Sequence, residues 1–178
     1  MRKILCVIDM QNDFITGSLG TKEAQSIVPN VVKKIAEYPD YNIFATRDCH
    51  DYDKYLTSEE GKHLPVRHCI KNTWGYQIED NVEKALRKAE IIDKPTFASL
   101  KLADRLRSIA HKEESEITFV GLCTDICVIS NALLIKAYLP EVPLFVDASC
   151  CAGVTPEKHK AALEALASCQ VTVLNNDK

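Results

Sequence analysis

The chain contains no apolar run approaching the ~20 residues that a bilayer span needs, and no block of like charges. It also lacks a basic stripe. Its 22 Lys and Arg against 25 Asp and Glu leave a formal net charge of -3, which excludes a phosphate-tracking nucleic-acid binder. No pair among the eight cysteines has Cys-x-x-Cys spacing, so no redox dithiol or zinc site of that kind is indicated. There is no internal repeat and no linker-like low-complexity segment. Met1-Arg2-Lys3 runs straight into Ile4-Leu5-Cys6-Val7-Ile8-Asp9, too short and too acidic at its end for a signal peptide. A cytoplasmic protein with reduced thiols is therefore expected, with Cys6, Cys69, Cys150, Cys151 and Cys169 as small buried or half-buried apolar residues.

What is present is an ordinary globular balance, 46% hydrophobic and 26% charged, in a length of 178 residues that fits a single domain spanning 1–178. Short β-branched runs predict strands at 3–8, 42–46, 90–93, 116–121, 142–146 and 171–174. Between most of them lie helical stretches with three- and four-residue apolar spacing. Ile27, Val31 and Ile35 make one face; Leu102, Leu106 and Ile109 a second; Ala161, Leu163, Leu166 and Ala167 a third. Ser99 and Thr155-Pro156-Glu157 read as helix starts. The expected class is α/β: a three-layer sandwich around a six-stranded, mainly parallel sheet covered on both faces. Right-handed crossovers then put every strand's C-terminal end on one edge.

That edge is where open α/β sheets bind ligands. The first strand ends in Asp9, the second in Asp48 and the third in Lys94; the fourth runs into Gly121-Leu122-Cys123-Thr124-Asp125-Ile126-Cys127. Cys127 falls near the start of a helix expected over 125–137, whose free N–H groups favour a thiolate and could hold an oxyanion. A lone helix cysteine is more often plain core, but the neighbouring acid and lysine favour a nucleophile, with Cys123 as rival. Asp9 closes an apolar strand, where a carboxylate is costly unless paired, and is the candidate base; a capping role, shared with Asp13, is the alternative. Lys94, held extended by Pro95, is expected to lower the pKa of both Asp9 and Cys127 unless it is a solvated surface lysine.

The segment 48–75 is long and irregular, which points to function. Asp48 and His50 alternate on an extended chain and can share an ion with His68, Glu60 or Glu59 supplying a fourth ligand. Solvated loop histidines are the plainer reading. His63 stays unassigned, His111 and His159 are expected on helix surfaces, and Trp74 is expected to anchor the loop against the domain.

Taken together, Val7-Ile8-Asp9-Met10-Gln11-Asn12-Asp13-Phe14, Lys94-Pro95 with Phe97 and Ser99, the Gly121–Val128 turn, Asp48-x-His50 and Pro65-Val66-Arg67-His68-Cys69 resemble the motifs of the isochorismatase-like cysteine hydrolases. Within them they resemble those of the nicotinamidase/pyrazinamidase group. The resemblance runs from about residue 3 to 150 with the motifs in order. It implies a Rossmann-like hydrolase fold and a catalytic triad of Asp9, Lys94 and Cys127. It implies a cis peptide before Cys123, with the N–H groups of Cys123 and Cys127 as oxyanion hole. It implies a divalent metal (zinc, or manganese or iron) on Asp48, His50 and His68, with Glu60 favoured over Glu59 as the fourth ligand, and Phe14 against the substrate ring. The implied reaction is thioester-mediated cleavage of nicotinamide to nicotinate and ammonia, a step of NAD salvage, by a homo-oligomer whose only partner is a small amide. An N-carbamoyl or ureido amidase, or a non-catalytic small-molecule-binding member, are the alternatives. One departure is plain: where nicotinamidases often place Trp or Phe about three residues before the last metal histidine, this chain reads Leu64-Pro65.

Overall fold

In the computed structural model, which describes residues 1–176, six parallel strands form one sheet in the order β3-β2-β1-β4-β5-β6. They are β1 Arg2–Ile8, β2 Ile43–Asp48, β3 Glu90–Lys94, β4 Ser115–Leu122, β5 Leu144–Ala152 and β6 Val171–Leu174. The helices are α1 Asn12–Ile15, α2 Lys22–Ala36, α3 Glu59–His63, α4 Asp80–Leu86, α5 Leu100–Ala110, α6 Ile129–Tyr138 and α7 Pro156–Ser168. Among the described residues no helix is long and apolar enough to cross a membrane.

Alternation along β1 builds the two cores. Ile4, Cys6 and Ile8 face one layer, with Leu102 and Leu106 of α5, Ile135 of α6, and Leu163 and Leu166 of α7. Leu5 and Val7 face the other, with Ile27, Val31 and Ile35 of α2 and Val82 and Leu86 of α4. The central strands β1 and β4 are covered on both faces and read as largely continuous apolar runs, whereas the edge strand β3 keeps Ile91 and Asp93 exposed. The predicted caps hold: Ser99 Oγ accepts from Leu102 N–H at 3.1 Å, and Thr155 Oγ1 from Lys158 N–H at 3.2 Å with Pro156 opening α7.

Several expectations change. The fifth strand extends to Ala152 instead of stopping at 146, because Asp147 inside it is paired with Lys34 Nζ at 3.1 Å and accepts hydrogen bonds from Asn175 Nδ2 at 3.0 Å to each oxygen. Ala161 and Ala167 are exposed, and Ala162 takes their place on the buried face of α7. Cys169, past the end of α7, is exposed too. Trp74 is 57% exposed, and its backbone carbonyl accepts from Asn12 Nδ2 at 3.0 Å and from Gln77 N–H at 3.1 Å. The loop is anchored instead by Asp13, whose Oδ2 accepts from Cys69 N–H at 2.7 Å, and by the His50–Ile70 bridge.

One glycine decides how closely the central strands approach. Gly121 has φ +119°, and a Cβ there would lie 2.1 Å from the Ile8 carbonyl oxygen. Only glycine allows the end of β4 to pass this near the end of β1. The turn after β4 is thereby brought beside Asp9.

Candidate active site

Asp9 leaves β1 with φ +48°, a left-handed conformation that carboxylate residues tolerate better than most and that turns the chain out of the sheet. Thr46 Oγ1 donates to its Oδ1 at 2.7 Å. Its Oδ2 pairs with Lys94 Nζ at 2.6 Å, with both side chains buried. Lys94 Nζ also donates to Cys127 Sγ at 3.5 Å and lies 3.6 Å from Asp48 Oδ1. The β2–β3 register, which sets Asp48 opposite Lys94, produces that last contact. One buried ammonium thus touches the acid, the thiol and a second acid.

The electrostatics correct one expectation. Lys94 was expected to lower the pKa of Asp9 and Cys127, and for both groups burial outweighs it. Burial pushes the Asp9 carboxyl upward, assisted by the charge of Asp48 and opposed by Lys94. Burial pushes the Cys127 thiol well up, Asp9 adds to it, and Lys94 only partly opposes. For Lys94, burial is overcome by the charges of Asp9, Cys127 and Asp48, so its pKa rises and it stays an ammonium. Burial thus disfavours the thiolate and makes the neighbouring Asp9 carboxylate more basic than an ordinary one.

Cys127 does not sit in an α-helix running from 125. Thr124–Val128 forms a π-helical turn ahead of α6, with the Cys123 carbonyl accepting from Ile126 and Val128 N–H at 3.1 Å each. The Leu122–Cys123 peptide is cis. Cys123 is half-buried at the junction and lines the same cavity as Cys127. That cavity, of about 760 Å³, is also lined by Phe14, Phe97 and Ile126, and reaches Asp48, His50, Glu60 and His68.

Those four residues offer ligand atoms that all lie within 4.8 Å of one another. His50 Nε2 is 2.8 Å from Asp48 Oδ2 and 3.5 Å from Glu60 Oε1; His68 Nε2 is 3.5 and 3.4 Å from the same two oxygens. The Nδ1 of His68 is held by the Val66 carbonyl at 2.8 Å, which aims Nε2 at the cluster, as a ligating imidazole requires. Asp48 Oδ1 is buried without a hydrogen bond. Two imidazoles and two carboxylates around one point suit a zinc-, manganese- or iron-like divalent ion, so the residues present fit such a group. Glu59 is excluded from the set: it is exposed and pairs with Lys62. His63 is exposed, with Nδ1 2.8 Å from the Glu59 carbonyl.

Sequence reasoning overlooked three positioning residues. Gln11 clamps the end of β2: its Oε1 accepts from Asp48 N–H at 2.7 Å, and its Nε2 donates to the carbonyls of Asp48 and Tyr76 at 2.9 Å each. Asn131 Nδ2 donates to the Cys127 carbonyl at 2.8 Å and to Phe97 O at 3.0 Å, tying the thiol's turn to the segment after Lys94. His159, expected at the surface, is half-buried with Nδ1 2.7 Å from Thr124 Oγ1. A polar residue inside an apolar helix, as Asn131 is in α6, was the available signal. Gln11 lay inside a recognised motif, but its partner could not be read from spacing.

The isochorismatase domain family matches residues 3–178; the chain belongs to that family and is a hydrolase. More particularly, it is 28% identical over 174 residues to the nicotinamidase of Saccharomyces cerevisiae, an alignment covering 74% of this chain and 80% of that protein. The pyrazinamidase of Pyrococcus horikoshii in complex with zinc superposes with a TM-score of 0.81 at 26% identity, over 98% of this chain and 99% of the other. The pyrazinamidase/nicotinamidase of Streptococcus mutans gives 0.78 at 28% identity, over 97% and 99%.

Proposed function

We propose that this hydrolase cleaves a small aromatic carboxamide, nicotinamide first among them, to the carboxylate and ammonia through a thioester on Cys127. The observation that carries the reading is the single buried Lys94 ammonium in contact with both the Asp9 carboxylate and the Cys127 sulfur, with Cys127 itself lining a mainly apolar cavity. In the proposed course Asp9, a better base than an ordinary carboxylate, takes the thiol proton as sulfur attacks the amide carbon. Lys94 keeps the forming negative charge on sulfur from facing Asp9 and Asp48 uncompensated. The N–H groups of Cys123 and Cys127 receive the carbonyl oxygen. Asp9 then returns the proton to the departing nitrogen, and water cleaves the thioester.

Phe14 supplies an apolar wall for a ring, its own ring 5.5 Å from that of His68. Asp48, His50, Glu60 and His68 would hold a divalent cation, which supplies a Lewis-acidic position for a pyridine nitrogen. The names of the relatives, nicotinamidase and pyrazinamidase, support the choice of substrate, and the product suits NAD salvage.

Ammonia release from nicotinamide and pyrazinamide tests the reading, with ureido compounds as controls. Release from both is expected, lost with a chelator and restored by zinc or manganese; release from ureido compounds alone would overturn the substrate assignment. The pH dependence of metal retention follows from the same cluster. Burial disfavours charge on His50 and His68, but hydrogen bonds to Asp48 and Glu60 prevail and raise them to about 9 and about 10. Each imidazole must shed its proton to ligate, so metal retention in equilibrium dialysis should fall as pH is lowered from 9 to 6.

A further inference from the structure

The cavity is larger than one pyridine ring and its amide require. Its volume of about 760 Å³ falls in the range of roughly 300–1,000 Å³ that encloses a drug-sized ligand. Three apolar residues line it and are also exposed, which puts them at its mouth: Leu64 at 37%, Phe97 at 44% and Val154 at 40%. Each belongs to a different connection. Leu64 follows α3, Phe97 lies between β3 and α5, and Val154 between β5 and α7.

Apolar side chains on loose loops would mean little, but these three are held by their backbones. The Leu64 carbonyl accepts from Tyr55 Oη at 2.8 Å and the Phe97 carbonyl from Asn131 Nδ2 at 3.0 Å; Val154 N–H donates to Asp125 Oδ1 at 2.9 Å. Tyr55 and Asn131 are themselves buried. The mouth is therefore a preformed apolar rim, and an apolar group seated on it leaves water without first having to order the loops. Of the charged residues on the same rim, Glu59 is paired with Lys62 and Lys158 is exposed.

The sheet decides which part of a substrate meets this rim. Asp48 closes β2, Asp9 follows β1 and Cys127 follows β4, so the order β2-β1-β4 sets the metal-type cluster, the base and the sulfur in a row along one edge. On the proposed reading, on which this inference rests, the ring nitrogen is directed to the cluster and the carboxamide carbon to the sulfur. The amide nitrogen then reaches Asp9 between them. Those anchors fix the ring at its nitrogen and at the carbon bearing the amide. Ring carbon 5, meta to both, points away from the row and toward the mouth. We infer that the enzyme accepts pyridine-3-carboxamides carrying an apolar, aryl-sized group on carbon 5, received by Leu64 and Phe97. The bonds that form and break are those given for nicotinamide, with ammonia as the leaving group.

5-Phenylnicotinamide is the probe for the metal-loaded enzyme. The control is 6-phenylnicotinamide, whose substituent flanks the ring nitrogen and crowds the cluster. About half of a phenyl surface is covered at such a mouth, so KM for the 5-phenyl compound should lie about five- to tenfold below that for nicotinamide. Its Kd on the Cys127→Ala protein, measured by calorimetry, should lie below that of nicotinamide by about the same factor. The 6-phenyl isomer should be cleaved at least about tenfold less efficiently than the 5-phenyl one. The double variant Leu64→Ala with Phe97→Ala should bring KM and Kd for the 5-phenyl compound to within about twofold of those for nicotinamide. Cleavage of nicotinamide with the 5-phenyl compound refused, or bound no more tightly, would overturn the inference and leave the parent reading intact. A preference that survives the double variant would overturn the assignment to Leu64 and Phe97. Equal cleavage of the two phenyl isomers would overturn the orientation of the ring. Cleavage of neither nicotinamide nor the 5-phenyl compound would overturn the parent reading and this inference with it.

Discussion

Cys127→Ala is expected to reduce kcat for nicotinamide by about 10⁴-fold or more while the protein stays folded and retains its metal. The large factor follows from the division of labour: without sulfur no thioester forms, and the base, the N–H groups and the cavity are left to assist direct attack by water alone. The fold is spared because the deletion removes one atom from a small side chain, at a cost of about 1 kcal/mol. Metal content is spared because Sγ is outside the Asp48, His50, Glu60 and His68 cluster. Ammonia release, thermal melting and metal analysis on one preparation check all three. A variant that keeps more than a tenth of the activity would show that the thiol is not the attacking group.

Lys94→Met should damage stability as well as turnover. Met matches the alkyl stem and removes only the charge, leaving Asp9 at 0% exposure without its partner at 2.6 Å and within the field of Asp48. Orphaning one member of a buried pair costs about 3–5 kcal/mol, or about 10 °C in Tm for a domain of this size. The sign of the pH dependence is fixed. In the variant the folded-state pKa of Asp9 is raised above its unfolded value of about 4, so the folded state binds the extra proton. Stability is then best at acid pH and is lost as pH rises through that window. The double variant Asp9→Asn with Lys94→Met buries no lone charge and should recover part of the Tm without recovering activity. A single variant as stable as the parent at pH 8 would mean the ion pair contributes nothing to the fold.

Much of this architecture was legible because its signals are local. Short β-branched and apolar runs ending in Asp9, Asp48 and Lys94 give both the parallel sheet and the positions of its charged ends, since a charge closing a buried strand needs a reason. Handedness then places those ends together without further information. What stayed illegible depends on the third dimension. The extent of β5 turned on the charge of Lys34 and the hydrogen bonds of Asn175 satisfying Asp147, residues far away in the chain. The upward displacement of Asp9 and Cys127 turned on how completely the helices and the loop cover them. Spacing could show that Lys94 lies near, and it could not show that burial outweighs it. Glu60 was separated from Glu59 only by the helical turn that points one carboxylate inward and leaves its neighbour in solvent.

The roles assigned to the site all derive from covalent capture at a single sulfur. Rapid acid quench of the enzyme turning over nicotinamide, followed by peptide mass spectrometry, observes that capture directly. The expected result is one nicotinoyl group on the peptide containing Cys127, absent from Cys127→Ala and discharged as turnover ends. Steady ammonia release with no acyl group on that peptide at any quench time would contradict the account.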